Sequence, residues 1–234
     1  FFRTIGVPLV EVYGQTESTG VATAQPLDDV HLGTVGVAIS GVEVKLGEHN
    51  EIIMRGGSMF KGYYKNDEAT ASTLKDGWLH TGDVGEWRDG QLRIVDRLKD
   101  IMITAGGKNL SPTEIENTIK ASPYIKECIV IGEARKYVSA LIQIDFDTVA
   151  KWAEQERIAY TTFRSLTEQP QVNELIQAEV NKGNEKLPQV AQIKRFHLLT
   201  KELDHDDDEV TATMKVRRSN IYEKYTEVIE SLYA

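Results

Sequence analysis

The chain has 234 residues, 41% hydrophobic and 27% charged, which suits one large or two modest globular domains. Net charge is −9, and both sides of residue 100 are acidic (10 Lys+Arg against 15 Asp+Glu before, 17 against 21 after), so no basic face offers itself to nucleic acid or an anionic membrane. No apolar run reaches the roughly 18 residues of a membrane helix and no signal peptide is evident; the single cysteine, Cys128, excludes an internal disulfide and fits an intracellular, cytoplasmic setting as a small core residue.

Leu9-Val10-Glu11-Val12-Tyr13 reads as a strand, followed by the polar loop Gly14-Gln15-Thr16-Glu17-Ser18-Thr19-Gly20. A glycine, hydroxyls and a carboxylate at a strand end suit a nucleotide phosphate and its Mg²⁺, although a solvated turn has the same composition. Val42–Leu46 and Glu51–Arg55 alternate as strands across a four-residue connection, within residues 33–64 that read as a small barrel or meander of structural role. Residues 66–74 read as a short helix capped by Asn66, with Glu68 in its first turn. In Trp78-Leu79-His80-Thr81-Gly82-Asp83, Asp83 is expected in a glycine-bounded turn, where it either accepts the two hydroxyls of a ribose or bonds its own backbone. His80 is expected to be packed or hydrogen-bonded, and Gln91–Val95 is a strand.

The stretch Asp96-Arg97-Leu98-Lys99-Asp100 has the polarity of an exposed linker. It leads through a β-favouring run at residues 101–103 and a Gly106-Gly107 turn to Ser111-Pro112-Thr113-Glu114. That tetrad is a helix start, with Ser as cap, Pro in the first position and Glu in the third. The helix runs to about Ala121, with Ile115 and Ile119 on one face. Ile125–Ile131 and Val138–Phe146 are near-continuous apolar strands, as in a sheet covered on at least one side. Asp147 is expected to cap a helix through about Arg157, residues 161–186 are largely helical with a second piece from Pro170, and Lys194–Leu199 is a strand. The acidic tract 204–209 lacks the glycine and spacing of a calcium loop and reads as a solvated loop. Lys215 follows in a threonine-rich turn before a last helix from about Arg217. The mixture gives an α+β fold class: a β-barrel-like first part, a linker, and a small α+β domain with a short sheet flanked by helices.

Four motifs together resemble the adenylate-forming (AMP-binding) enzymes, and most closely the long-chain fatty acid CoA ligases. They are Tyr13-Gly14-Gln15-Thr16-Glu17, Thr81-Gly82-Asp83, the hinge at Asp96–Asp100 with Gly-Gly-Lys-Asn-Leu-Ser-Pro after it, and Thr211-x-x-x-Lys215-x-x-Arg218. The resemblance implies that Tyr13 stacks on adenine, Gly14, Gln15 and Thr16 meet the nucleotide, Glu17 holds Mg²⁺, and Asp83 and Arg97 reach the ribose. It makes Lys99 the pivot, Gly106-Gly107-Lys108 the lining of a CoA tunnel, and Lys215 the catalytic lysine of adenylation. The implied division is residues 1–96 for the end of a large domain, 97–100 for the hinge and 101–234 for a mobile domain. The implied substrates are a fatty acid, ATP and CoA. Peripheral membrane contact and homo-oligomer formation stay open, as does acyl chain length. The family's phosphate loop, which ends in Pro-Lys-Gly, is not among these residues, so a C-terminal portion that is inactive alone is expected. An adenylation-domain or luciferase-like relative, or a non-catalytic interaction module of the same fold, are the alternatives.

Overall fold

The computed structural model describes residues 2–234. The chain divides into two units, Phe1–Asp100 and Ile101–Ala234.

The first unit is built from two sheets. One is antiparallel, from β1 (Val12–Gln15), β2 (Gly20–Ala24) and β3 (Val37–Ala38). The other joins β4 (Val42–Leu46), β5 (Glu51–Gly56), β6 (Leu74–Lys75), β7 (Trp78–Arg88) and β8 (Gln91–Arg97), with α1 (Asp67–Thr73) between β5 and β6. The expected hairpin at 42–55 is present, with Val42 opposite Gly56. Strand β7 is the axis: its first residues pair with β5 and β6, and its second half pairs with β8. The register slips between Glu51 and Ile53 and between Val84 and Gly85, and such bulges bend a sheet. The sheets meet where Val35 N–H donates to the Leu92 carbonyl (2.7 Å) and Leu92 N–H to that of Gly36 (2.7 Å), which gives a curled half-barrel. Ala22, Ile52, Met54, Leu79 and Leu92 fill it, fully buried.

Three expectations need correction here. Asp83 lies within the eleven-residue strand β7, not in a turn. Gly20, read as the end of the loop, opens a strand Gly20–Ala24 paired with β1, and β1 itself runs Val12–Gln15 rather than Leu9–Tyr13. Asp96 is buried as the penultimate residue of β8, so the linker character begins only with the turn Leu98–Asp100.

The second unit opens with the two-stranded ribbon of β9 (Met102–Ile103) and β10 (Asn109–Leu110), then α2 (Pro112–Ile119). Ser111 caps α2 by accepting from Glu114 N–H at 3.0 Å, as its sequence predicts. A central sheet follows, with β11 (Ile125–Ile131) antiparallel to β12 (Val138–Ile144). From β12 the chain crosses through α3 (Phe146–Gln155), α4 (Phe163–Thr167) and α5 (Pro170–Asn184) to β13 (Ile193–Leu198), parallel to β12. Short helices α6 (Arg218–Lys224) and α7 (Thr226–Ser231) end the unit. The sheet is covered on both faces, which is why its strands read as unbroken apolar runs. Val130, Ala140 and Ile142 join Ile115, Ile119 and Ile176 in one core, while Ile129, Ile131 and Leu141 join Val210, Ile221 and Ile229 in the other. Cys128 is a buried member of the first. The cap of α3 is Asp145, which accepts from Thr148 N–H at 3.1 Å; Asp147 sits inside the helix, and β12 stops at Ile144.

Candidate functional site

Gly14 is required by the sheet. A Cβ there would lie 1.6 Å from the Gly20 carbonyl oxygen, beside the bulge between Tyr13 and Gly14. The bulge turns the strand end so that Tyr13 and Gln15 reach toward β7.

On β7, the Thr81 hydroxyl donates to the Ile52 carbonyl (2.7 Å) and accepts from Asp83 N–H (3.0 Å). Gly82 takes φ +69°, a conformation that favours glycine, and its N–H donates to Glu51 Oε1 at 2.9 Å. Glu51 Oε2 meets His80 Nδ1 at 2.7 Å, so His80 is hydrogen-bonded as expected. Thr-Gly-Asp is therefore a braced kink in a strand.

That kink presents the Asp83 carboxylate to a cluster of donors. Tyr13 OH donates to Oδ2 at 2.6 Å, Gln15 Nε2 donates to the same oxygen at 2.8 Å, and Arg97 Nε lies 2.9 Å from Oδ1. Gln15 also donates to the Thr81 carbonyl at 3.0 Å. Burial pushes the Tyr13 phenol well up, and its bond to Asp83 adds to the shift, so Tyr13 holds its proton for donation. Asp83 is 6% exposed, whereas the Arg97 side chain is 55% exposed.

Gly14, Gln15, Thr16, Glu17, Asp83 and Arg97 line one open cleft of about 690 Å³ with Glu51, Tyr63 and Thr81. Thr16 is exposed in the helical turn Thr16–Ser18 after β1. Glu17 is tied by its carbonyl, which accepts from Phe60 N–H at 2.7 Å, and by Oε1, which accepts from Tyr63 OH at 2.6 Å. The bond to Glu17 raises the Tyr63 phenol. Sequence reasoning passed over Glu51 and Tyr63 and gave Thr81 no role beyond its place in the Thr-Gly-Asp motif. Tyr63 and Glu51 lie in stretches read as purely structural, and only the fold brings them to the cleft.

Among the described residues, no three His, Cys, Asp or Glu side chains gather as a metal cage. A single carboxylate is nevertheless the donor set Mg²⁺ uses when it keeps waters and binds substrate phosphates. Glu17 fits it, with Oε2 making no hydrogen bond among the described residues.

The remaining predicted residues lie elsewhere. Lys99 is exposed in the turn Leu98–Asp100. In the second unit, Gly106, Gly107 and Lys108 form the tip of the β9–β10 ribbon, with Gly107 at φ +72° and Thr104 N–H donating to the Lys108 carbonyl at 3.0 Å. Lys215 is exposed on a separate hairpin.

Known proteins match along the whole chain. The profile of the AMP-binding enzyme C-terminal domain matches residues 99–234, and that of AMP-binding enzymes matches residues 1–64. The protein fadD11 of Mycobacterium tuberculosis, provisionally named a fatty-acid–CoA ligase, is 44% identical over 237 residues, covering 100% of this chain and 41% of its own length. The long-chain-fatty-acid–CoA ligase FadD15 of the same species is 34% identical over 235 residues, covering 100% and 39%. The chain thus spans about two-fifths of the length of the curated relatives it matches. Among solved structures, the o-succinylbenzoate CoA synthetase of Bacillus subtilis with its acyl-adenylate shares the fold, with a TM-score of 0.70 at 22% identity over 94% of this chain and 42% of its own. The adenylation domain of the carboxylate reductase from Mycobacterium chelonae does so at 0.73 and 22%, over 99% and 36%. The α+β architecture read from the sequence is that of these enzymes, and the chain belongs to the AMP-binding enzyme family.

Proposed function

We propose that these residues supply the ribose-binding wall and the mobile catalytic domain of a long-chain fatty acid–CoA ligase. The reaction forms an acyl-adenylate from a fatty acid and ATP with release of pyrophosphate; CoA thiol then displaces AMP. The observation that carries the reading is the Asp83 carboxylate, buried on the cleft wall and aimed by three donors. A carboxylate offers about four acceptor sites, and three are in use. A ribose diol brings two hydroxyls, so one donor must leave. Arg97, the most exposed of the three, is the one free to swing toward the ribose. Gly14, Gln15 and Thr16 border the same space, Tyr13 reaches it through its bond to Asp83, and Glu17 would hold Mg²⁺ there. When bound, Mg²⁺ neutralises phosphate charge.

Lys215 takes the catalytic place in adenylation: a compact cation meets the fatty acid carboxylate and the α-phosphate together. Lys99 is the pivot about which residues 101–234 turn, and Gly106, Gly107 and Lys108 line the CoA path in the second state. Both mycobacterial relatives carry fatty-acid–CoA ligase in their names, which supports the substrate class. A Bacillus subtilis neighbour solved with ATP and magnesium supports those ligands. Among the described residues no helix is long and apolar enough to cross a membrane.

The test is palmitate-dependent ATP–pyrophosphate exchange by the native protein that carries these residues, beside its Lys215→Ala and Asp83→Ala variants. Loss of exchange in Lys215→Ala and a raised KM for ATP in Asp83→Ala are expected. Normal exchange in both variants would overturn the assignment.

A further inference from the structure

The hairpin that carries Lys215 is closed on itself. Val210 and Val216 form a β-bridge across its base, and Thr211 N–H donates to the Lys215 carbonyl at 2.8 Å. Lys215 N–H donates back to the Thr211 hydroxyl at 3.1 Å, and Met214 completes the turn at φ +60°. The lysine side chain is exposed. Its position therefore depends on what holds the base.

Val210 is buried at that base, and Asp208 accepts there from Arg217 Nη1 (3.0 Å) and, through its carbonyl, from Asn220 Nδ2 (2.9 Å), but the most heavily bonded residue is Glu209. Glu209 is 0% exposed, although the surrounding tract from Asp204 to Asp208 is exposed. Its Oε2 accepts from Lys201 Nζ (2.8 Å) and Asp204 N–H (3.0 Å). Its Oε1 accepts from Lys224 Nζ (2.8 Å) and Tyr225 OH (3.0 Å). Its carbonyl accepts from Arg217 N–H at 2.9 Å, on the other arm of the hairpin. Lys201 follows β13, while Lys224 and Tyr225 close α6. Glu209 thus ties both arms to the sheet end and to the C-terminal helices. Burial pushes the Glu209 carboxyl up, but the bonds from Lys201, Lys224, the Asp204 amide and Tyr225 outweigh it and leave it below the usual range.

We propose that Glu209 is a positioning residue for adenylation, which fixes the hairpin so that Lys215 presents its ammonium at one place. The inference rests on the assignment of Lys215 made above. A lysine has a long flexible stem, so a wandering base would spread the charge over many positions. Misplacement of a reacting group by about 1 Å can cost about 100-fold in rate. Glu209 touches no substrate in this scheme; it acts through the hairpin. Removing it leaves Lys201 and Lys224 a partner in Asp207, which both already contact, so neither lysine is left without a carboxylate.

The experiment uses the native protein and its Glu209→Ala, Glu209→Gln and Lys215→Ala variants in two separate half-reactions. The first is palmitate-dependent ATP–pyrophosphate exchange; the second is acyl-CoA formation from synthetic palmitoyl-adenylate and CoA. Glu209→Ala is expected to lower kcat of exchange by roughly 10- to 100-fold with little change in KM for ATP. It should leave the second half-reaction within about twofold of wild type, since Lys215 serves only the first. Glu209→Gln keeps the shape and can still accept from the Asp204 amide, so it should recover part of the loss. If the alanine variant does not accumulate folded, the glutamine variant carries the same comparison. Equal losses in both half-reactions would mean that Glu209 serves packing alone and would overturn the proposal. Normal exchange in Glu209→Ala beside a dead Lys215→Ala would refute the role of Glu209 only. Normal exchange in Lys215→Ala would sink the assignment of the lysine and this inference with it.

Discussion

Replacing Asp83 with asparagine removes charge while keeping shape, and the consequence can be worked from three contacts. Tyr13 OH and Gln15 Nε2 both point at Oδ2, at 2.6 and 2.8 Å. Bonds to a charged acceptor contribute about 1.5–3 kcal/mol each, against about 1 for neutral ones. If the asparagine oxygen faces these donors, each bond is weakened to the neutral value and the new NH₂ faces the Arg97 guanidinium. If it faces Arg97, the NH₂ confronts two donors. The first arrangement costs less, about 1–4 kcal/mol for the two weakened bonds. The Arg97 pair adds at most about 1 kcal/mol, because its side chain is more than half exposed and water replaces the carboxylate. A total of about 1–5 kcal/mol is expected, a large part of a small unit's stability. Urea unfolding followed by tryptophan fluorescence measures it, since Trp78 and Trp87 lie on β7. A Trp152→Phe background removes the signal from α3. An Asp83→Asn midpoint equal to wild type would show that charge on this carboxylate does not hold the cleft wall, and the account of its donors would fail.

Other substitutions test the local geometry. Gly14→Ala places a Cβ against the Gly20 carbonyl, a backbone atom that cannot rotate away; a loss at or above the top of the ~1–3 kcal/mol range for overpacking is expected in the same assay. Asp145→Ala should cost about 1 kcal/mol as a lost helix cap, whereas Asp147→Ala should be nearly neutral; thermal unfolding of the pair decides which acid caps α3. Acid should weaken the second unit, because Asp145, Glu179, Asp207, Glu209 and Glu230 are all held below their ordinary values. Their contribution is complete above the ordinary carboxylate range and is lost as pH falls through the lowered folded values. Burial raises Glu116 and works the other way, but alone. Trp152 fluorescence in urea, read from pH 7 to pH 3, should show a falling midpoint; a flat profile would contradict the sign.

Where patterns are dense, the fold was legible. The capping box at Ser111, the 42–55 hairpin and the central strands of the second unit all carry strong local signals. The site was legible only as motifs. Glycines made 77–85 look like a turn, yet Gly82 supplies a positive φ inside a strand, and a Cβ at Gly85 would meet Ile52 at 2.8 Å. Strand bulges and tight packing leave the same residue in the sequence as a loop does. Asp145 and Asp147 flank Phe146 symmetrically, and only the end of β12 tells which one caps. Glu209 was hidden because its neighbours are acidic and exposed, and its side-chain partners lie eight residues before it and fifteen or sixteen after.

The carboxylates themselves separate scaffold from site once their acceptor capacity is counted. Each offers about four sites. Glu209 has four donors on it and no room for a ligand, and it is buried beyond reach of one. Asp83 has three donors, the most exposed of which can leave. Glu17 has one donor, Tyr63, and opens on the same cleft. A buried acid with every site filled can only hold neighbours in place, and filling the last site fixes it more firmly. An acid with sites to spare, beside a movable cation, can exchange one partner for another. By that criterion the first unit holds acids suited to a ligand, while the acid of the second unit's hairpin serves the lysine it anchors. A carboxylate's unused lone pairs are thus a better guide to its work here than its burial, which is nearly the same for Asp83 and Glu209.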